Sequence, residues 1–175
     1  MKAVFPILLL LLISFSAAAQ EPAGDSAPSD ANSLEEVRNM QSALVLVFKS
    51  RVLNLEDRER AIIQDVLKAD AEPKGRNRWA YNMIAGKLNK YIRKYKSLIP
   101  ARVLSEADYV IYFNVVEWRR ILYTYYPYGE LFVIVKGSPE KLKPPRVVWR
   151  TKKMLFAEDA IGALIKDLKI LRGES

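Results

Sequence analysis

The spacing of apolar residues changes several times along this chain, and each change predicts a different element. Residues 43–48 (ALVLVF) are apolar throughout and rich in β-branched side chains, which is typical of a strand covered on both faces. Residues 108–118 (DYVIYFNVVEW) are apolar on both alternating faces and predict a central strand. Two more strands are predicted at residues 130–136 (ELFVIVK) and 146–154 (RVVWRTKKM).

Three other segments repeat apolar residues every three or four positions, which predicts amphipathic helices. The first begins at Asn54 and ends before Pro73, and its apolar side includes Ile62, Val66 and Leu67. The second covers residues 78–98, with a stripe made of Ala80, Ile84, Leu88, Tyr91, Tyr95 and Leu98. The third closes the chain before Gly173, with a stripe made of Ala160, Ile161, Leu164, Ile165, Leu168 and Leu171.

The resulting order, β-α-α-β-β-β-α, predicts an α+β domain with a single mixed sheet of about four strands and helices packed on it. The first strand reaches the sheet through a crossover made by the first two helices. The last three strands are expected to form an antiparallel meander, and the closing helix to pack on the sheet through Leu164 and Leu168.

The first 33 residues follow neither pattern. Lys2, an apolar core and the small residues Ala17–Ala19 predict a signal peptide over residues 1–19, cleaved near Ala19. No cysteine follows, so a lipidated N-terminus is not expected. Residues 20–33 (QEPAGDSAPSDANS) lack large apolar side chains and predict a flexible linker, which leaves residues 34–175 as one domain. We therefore expect an exported protein, periplasmic or secreted.

The inventory of reactive side chains argues against catalysis. The chain has neither histidine nor cysteine, which removes Ser-His-Asp, Cys-His and zinc sites. Carboxylate pairs remain, but Asp108 and Glu117 are nine residues apart on one predicted strand, an odd offset that places them on opposite faces. Glu56, Asp57 and Glu59 share a helix start, where acids are favoured by the helix dipole alone. We predict no enzyme activity, no cofactor and no metal.

Charge points to binding instead. The formal net charge is +8, and the stretch 74–96 carries eight cations without a single acid. These cations are Lys74, Arg76, Arg78, Lys87, Lys90, Arg93, Lys94 and Lys96. A helix face of one sign is suited to anionic lipid or acidic glycan, whereas a solvated face normally mixes signs. The alternative is that the charge only keeps the domain soluble. No nucleic-acid partner is expected.

Two further segments are candidate contact surfaces. Tyr123, Tyr125, Tyr126 and Tyr128 lie in a predicted turn between two strands. Exposed tyrosines make low-entropy contacts with proteins or sugars, although they can also lie over neighbouring strands as a hairpin cap. Trp79, beside the basic stretch, is either an interfacial anchor or a core residue.

The second segment is the last predicted strand. Strict alternation places Val147 and Trp149 on one face and Arg146, Arg150 and Lys152 on the other. The basic face is a candidate binding surface, and the alternative is cross-strand pairing with Glu130 on the neighbouring strand.

The succession of elements also resembles a known group of proteins. Ala107-Asp108 introduces the central strand ADYVIYF, GELFVIV and RVVW follow, Trp149 ends the later strand, and the chain closes with DAIGALIKDLKIL. Over residues 44–171 this pattern is similar to small bacterial cell-envelope domains, such as the TolB N-terminal domain and the curli-secretion-channel family. The chain departs from it in its two long middle helices and in lacking a lipobox cysteine. The resemblance implies a binding or scaffolding role in envelope assemblies, without catalytic residues.

These observations together predict an exported, non-enzymatic binding or accessory domain of the bacterial cell envelope, with an unidentified envelope protein as its partner. The first alternative is an anionic-surface binder that uses the basic helix 74–96 on lipid or acidic glycan. The second is a hydrolase that relies on carboxylates alone.

Overall fold

The structure, a computed structural model, describes residues 34–49, 55–67, 75–137, 144–152 and 154–174. The predicted signal peptide and linker, and Lys74, lie outside the described residues. In chain order the elements are β1 (Ser42–Phe48), α1 (Leu55–Leu67), α2 (Arg76–Tyr95), β2 (Ile99–Pro100), β3 (Tyr109–Ile121), β4 (Thr124–Val135), β5 (Arg146–Arg150), β6 (Leu155–Phe156) and α3 (Ala157–Arg172). Short 3-10 turns cover Leu34–Val37 and Leu104–Glu106.

The six strands form one sheet in the order β2-β1-β3-β4-β5, with β6 pairing on β4. β1 runs parallel to β3, whereas β4 runs antiparallel to both β3 and β5. The α+β class, the single mixed sheet and the antiparallel run of the last three strands are therefore confirmed. The strand count of about four is wrong, because β2 and β6 are two-residue strands that are too short to leave a hydrophobic pattern.

The Ala107-Asp108 dipeptide fixes the register of the parallel pair β1 and β3. The carboxylate of Asp108 accepts backbone N–H bonds from Gln41 (3.0 Å) and Ser42 (2.8 Å), and the Asp108 N–H donates to the Ser42 hydroxyl (2.9 Å). Opposing effects act on the pKa of the Asp108 carboxyl group. Its slight burial raises the pKa, but the hydrogen bonds from Ser42 and Gln41 lower it by more, so the pKa lies below its usual value.

The two faces of the sheet are covered unequally. One face carries α2 and α3, and Ile84, Leu88, Leu164 and Leu168 belong to the same buried cluster as the β3 residue Phe113. This cluster confirms the packing predicted for Leu164 and Leu168, which are both 0% exposed.

Among the helices of the described residues, only α1 covers the other face. Ile62 and Val66 of α1 pack with Tyr112 and Phe132 of the sheet in a smaller cluster. Leu67, predicted to lie on the apolar side of α1, is instead exposed at the last residue of the helix.

The second helix begins and ends earlier than predicted. Lys96 adopts a left-handed conformation (φ 54°) and donates its backbone N–H to the carbonyl of Ile92, which ends α2 before Pro100 is reached. Tyr95 is half-buried, and Leu98 is still buried although it lies beyond the helix. The apolar stripe was therefore assigned correctly, but burial of Leu98 does not depend on helical geometry.

A bulge in β5 breaks the alternation predicted for this strand. Val133 pairs with Trp149 and Ile134 with Val147, which leaves Val148 as an extra residue. Trp149 therefore joins the cluster under α2 and α3, whereas Val147 packs against the cluster under α1. The prediction that Val147 and Trp149 lie on the same face of the sheet is therefore wrong.

Candidate functional site

Strands β3 and β4 extend beyond the rest of the sheet. β1 pairs with β3 only as far as Asn114, while the ladder between β3 and β4 continues to the pair Ile121 and Thr124. β5 leaves β4 at Phe132, and β6 pairs with β4 only at Gly129 and at Tyr128, the last residue of the extension. We call residues 117–128, from Glu117 to Tyr128, the hairpin arm.

The tyrosines of the arm lie mostly in a strand. Residues 122 and 123 form the two-residue turn, and Tyr125, Tyr126 and Tyr128 belong to β4. The prediction of an aromatic turn over residues 123–129 is therefore wrong for all but Tyr123. The turn comes earlier because both strands of the hairpin run on past the sheet core.

A bulge at the base of the arm requires a glycine opposite it. The pairing of β3 and β4 shifts between Val115 and Glu117, which leaves Val116 as an extra residue. Gly129 lies across from this point, and a Cβ atom there would overlap the backbone carbonyl of Asn114. Bulges increase the local twist of a ribbon, so this one sets the direction in which the arm leaves the sheet.

Aromatic contacts fasten the arm to two helices. The Trp79 ring, in the first turn of α2, stacks on Trp118 (centroids 5.9 Å apart) and contacts Tyr126 (5.7 Å). Phe156, in β6 immediately before α3, contacts both Tyr126 (6.0 Å) and Tyr128 (5.7 Å). The base of the arm is therefore held, and Trp79 connects the basic helix to the tyrosines.

The tip of the arm exposes apolar side chains. Leu122 is 84% exposed and Tyr123 is 90% exposed, with Ile121 and Tyr125 partly exposed beside them. Single exposed apolar residues are ordinary, but a run of them at the end of a protruding element marks interaction surfaces. Leu122 also has a positive φ of 56°, where two-residue hairpin turns normally place glycine, asparagine or aspartate.

Cations lie along the arm and beside it. The Arg119 guanidinium lies over the Tyr128 ring at 3.3 Å. Arg120 donates its Nε–H to the turn carbonyl of Leu122 (3.1 Å), and Arg76 of α2 lies over the Tyr125 ring at 4.9 Å. We call the hairpin arm together with residues 76–79 the hairpin end. Its sequence holds four arginines and one acid, Glu117, which pairs with Arg119.

The basic stretch of α2 does not form one surface at the tip. Arg76 and Arg78 belong to the hairpin end, whereas Arg93, Lys94 and Lys96 lie at the opposite end of the helix. Seventeen residues of α-helix separate Arg76 from Arg93, a distance of about 25 Å at the usual helical rise. A surface that meets the tip end-on therefore contacts only the first two cations.

Two further cations of α2 lie between these ends. Lys87 is half-buried and donates to the backbone carbonyl of Glu158 in α3 (2.8 Å). Lys87 is therefore not part of an open basic face, because α3 packs beside this part of α2. Lys90 is exposed.

The cations of the last strand also separate. The bulge in β5 sends Arg146 and Arg150 to opposite faces, where Arg146 pairs with Glu36 and Arg150 pairs with Glu59 (2.7 Å). Lys152 is exposed and follows the strand. The predicted basic face of this strand is therefore wrong, and its two arginines bind acids from other elements.

Asp108 and Glu117 do not converge on a cleft, and the side chains of Glu56 and Asp57 lie outside the described residues. Asp108 lies just before β3, and Glu117 is nine residues farther along, about 30 Å away at the usual rise of a strand. The bulge at Val116 adds a residue between them, so the odd spacing does not place them on opposite faces as predicted. They are separated by their distance along the strand instead. The described residues contain no group of three or more acids that could hold a metal ion.

Comparison of the chain with protein-family models, curated proteins and solved structures found no match. The resemblance to envelope accessory domains stays a prediction. Within the described ranges, no helix has both the length and the apolar composition needed to cross a bilayer.

Sequence reasoning did not identify Trp118, Arg119, Arg120, Ile121 and Leu122 as part of a contact surface. It placed the end of the strand at Trp118 and the turn in the tyrosine stretch. The missed signal is the segment RRILY, in which apolar residues stand between two strands where turn residues normally occur.

Proposed function

We propose that this protein is a non-enzymatic binding domain that works outside the cytoplasm in the bacterial envelope, and that the hairpin end is its contact surface. The observation that carries the proposal is the exposed run Ile121, Leu122 and Tyr123 at the tip of an arm that the sheet core does not require. The export signal predicted at residues 1–19 supports the location.

The composition of the hairpin end supports this proposal. Tryptophan, tyrosine and arginine are the residues that most often carry binding energy in interfaces. Trp79, Trp118 and Tyr126 are held in place by one another, so little side-chain entropy would be lost when a partner covers them. The tip makes little contact with its own fold, because Leu122 and Tyr123 are almost fully exposed.

An anionic-surface function for the whole basic helix is less well supported, because Lys87 contacts α3 and the remaining cations lie near opposite ends of α2. A carboxylate-only hydrolase has no supporting feature among the acids described above. The sequence resemblance suggests an envelope protein as the partner, but the proposal that the hairpin end is the contact surface does not depend on the class of partner.

Site-specific photo-crosslinking tests this proposal. A benzophenone amino acid is placed at Tyr123, and in a matched variant at Ile170, which is 72% exposed on α3. After illumination of intact bacterial cells that export the protein, we expect protein or lipid adducts from position 123 and few from position 170. Adducts from position 170 alone, or from neither position, would show that the hairpin end is not the contact surface.

A further inference from the structure

We infer that the hairpin end docks on the interface of a lipid bilayer that contains anionic phospholipid, with the tip of the arm entering the interface. This inference rests on the proposed function and names the partner that the hairpin end binds. Its support is the order in which apolar, aromatic and cationic groups follow one another along the arm.

The apolar tip comes first. Ile121, Leu122 and Tyr123 are consecutive and stand at the end of a two-stranded ribbon. Entry into a bilayer is opposed by unpaired backbone groups, since hydrocarbon offers them no partner. The turn lowers this cost, because Arg120 donates its Nε–H to the carbonyl of Leu122. The apolar side chain of Leu122 is thus presented next to a carbonyl that is already paired.

Amphipathic rings come next along the arm. Tyr125 is 42% exposed directly behind the tip, and Trp79 is 37% exposed farther back, against Trp118 and Tyr126. Tyrosine and tryptophan are enriched where a bilayer meets water, because their rings have an apolar body and a polar edge. The order of tip and rings therefore matches the order of acyl chains and headgroups.

Guanidinium groups lie beside the rings of the hairpin end. Arg76 and Arg119 stack on Tyr125 and Tyr128, and Arg78 is exposed in the same first turn of α2 as Arg76. A guanidinium group donates two parallel hydrogen bonds to a phosphate, which makes arginine well suited to phospholipid headgroups. The excess positive charge of the hairpin end is complementary to an anionic membrane surface.

A protein partner fits this arrangement less well. A stable protein interface buries about 800 Å² on each side and is centred on a packed apolar patch. Here the exposed apolar residues are confined to a narrow tip, while the rings behind it pack on one another. A bilayer interface accepts a narrow tip without needing a matching pocket.

Co-sedimentation of the purified protein with vesicles tests the inference. The vesicles are made of phosphatidylcholine alone or of phosphatidylcholine with about one third phosphatidylglycerol. We expect binding to the anionic vesicles that weakens as salt rises, because exposed charges are screened over about 8–10 Å at physiological salt. Absence of binding to anionic vesicles at low salt would overturn the inference.

A variant of the tip tests the apolar part of the contact. Asparagine tolerates the positive φ at position 122, so Leu122→Asn keeps the turn while removing the leucine. We expect the affinity for anionic vesicles to fall about tenfold or more, as for loss of one buried leucine side chain. The control Ile170→Gln removes a similarly exposed apolar side chain from α3 and should bind as the wild type does. An equal loss in both variants would overturn the inference.

A pair of double variants tests the charge. Arg76→Gln with Arg78→Gln changes the hairpin end, and Lys90→Gln with Arg93→Gln removes the same charge from exposed positions farther along α2. We expect the Arg76/Arg78 double variant to lower the affinity for anionic vesicles severalfold and to weaken its dependence on salt. The Lys90/Arg93 double variant should do so much less. Equal effects would mean that net charge, not the hairpin end, drives binding. Protein adducts from position 123 without vesicle binding would reject the lipid inference and leave the proposed function intact.

Discussion

The indole ring of Trp79 lies on that of Trp118, with ring centroids 5.9 Å apart and ring planes inclined by 20°. This contact joins the first turn of α2 to the outer half of β3, two segments that are 39 residues apart in the sequence. It holds an otherwise two-stranded ribbon, which would be only marginally stable alone, at a defined angle to the core. Presentation of the tip therefore depends on a helix residue.

Replacing Trp79 tests this coupling. We expect Trp79→Ala to lower the free energy of unfolding by about 1–2 kcal/mol, since it removes contacts with two rings. Trypsin should also cleave the loosened arm faster at Arg119 and Arg120, which mass spectrometry of the fragments would detect. Tyr123→Ala, at a position 90% exposed, serves as the control and should change the free energy by less than about 0.5 kcal/mol.

Leu122, in the turn of the arm, contributes to the exposed tip and little to the stability of the fold. Leu122 has a positive φ and is largely exposed, so its side chain contributes little to the core. We expect Leu122→Asn to leave the free energy of unfolding unchanged or to raise it by up to about 1 kcal/mol, because asparagine adopts this conformation more readily. Urea denaturation measures the difference. A loss of more than about 1 kcal/mol would mean that Leu122 is a structural residue.

The contact of α3 with the sheet depends on Leu164. This side chain is 0% exposed and packs in the larger cluster with α2 and the sheet. We expect Leu164→Ala to lower the free energy of unfolding by about 2–5 kcal/mol, the usual range for a buried leucine. Ile170→Ala on the same helix, at a position 72% exposed, should cost less than about 0.5 kcal/mol. Similar costs for both variants would contradict the packing described for α3.

The register bond at Asp108 predicts a dependence on pH. Because the pKa of Asp108 is lowered in the folded state, its stabilisation is complete above the unfolded pKa of about 4 and is lost as pH falls through the folded pKa. We expect Asp108→Asn to lower the free energy of unfolding by about 1–2 kcal/mol at pH 7, the smaller values applying because solvent screens the exposed carboxylate. The difference from wild type should shrink below about pH 4. An equal difference at pH 7 and pH 3, measured by urea denaturation, would contradict the assignment.

Much of the fold is predictable from the sequence because burial leaves a periodic pattern. The stripe of Ile84 and Leu88 and the stripe of Leu164 and Leu168 both identify residues that lie in the core. The continuous apolar run of β1 correctly indicates a strand buried on both faces. These features are local, so spacing alone reveals them.

The candidate site was less predictable because strand bulges and the position of the hairpin turn are not visible in the spacing of apolar residues. A single extra residue, Val148, places Arg146 and Arg150 on opposite faces of the sheet, and no local signal marks it. The position of the hairpin turn at Leu122 is likewise hidden, since leucine is an unusual residue for a positive φ. The contact of Trp79 with Trp118 joins distant segments and becomes visible only in the folded structure.

The central claim is that the hairpin end forms the contact surface, and amide hydrogen–deuterium exchange tests it most directly. The protein is compared free and after co-sedimentation with membranes prepared from bacterial envelopes, whatever component it binds there. We predict slower exchange in residues 117–128 and in the first turn of α2, with no change in α3. Slower exchange in α1 or α3, with the hairpin arm unchanged, would contradict the account.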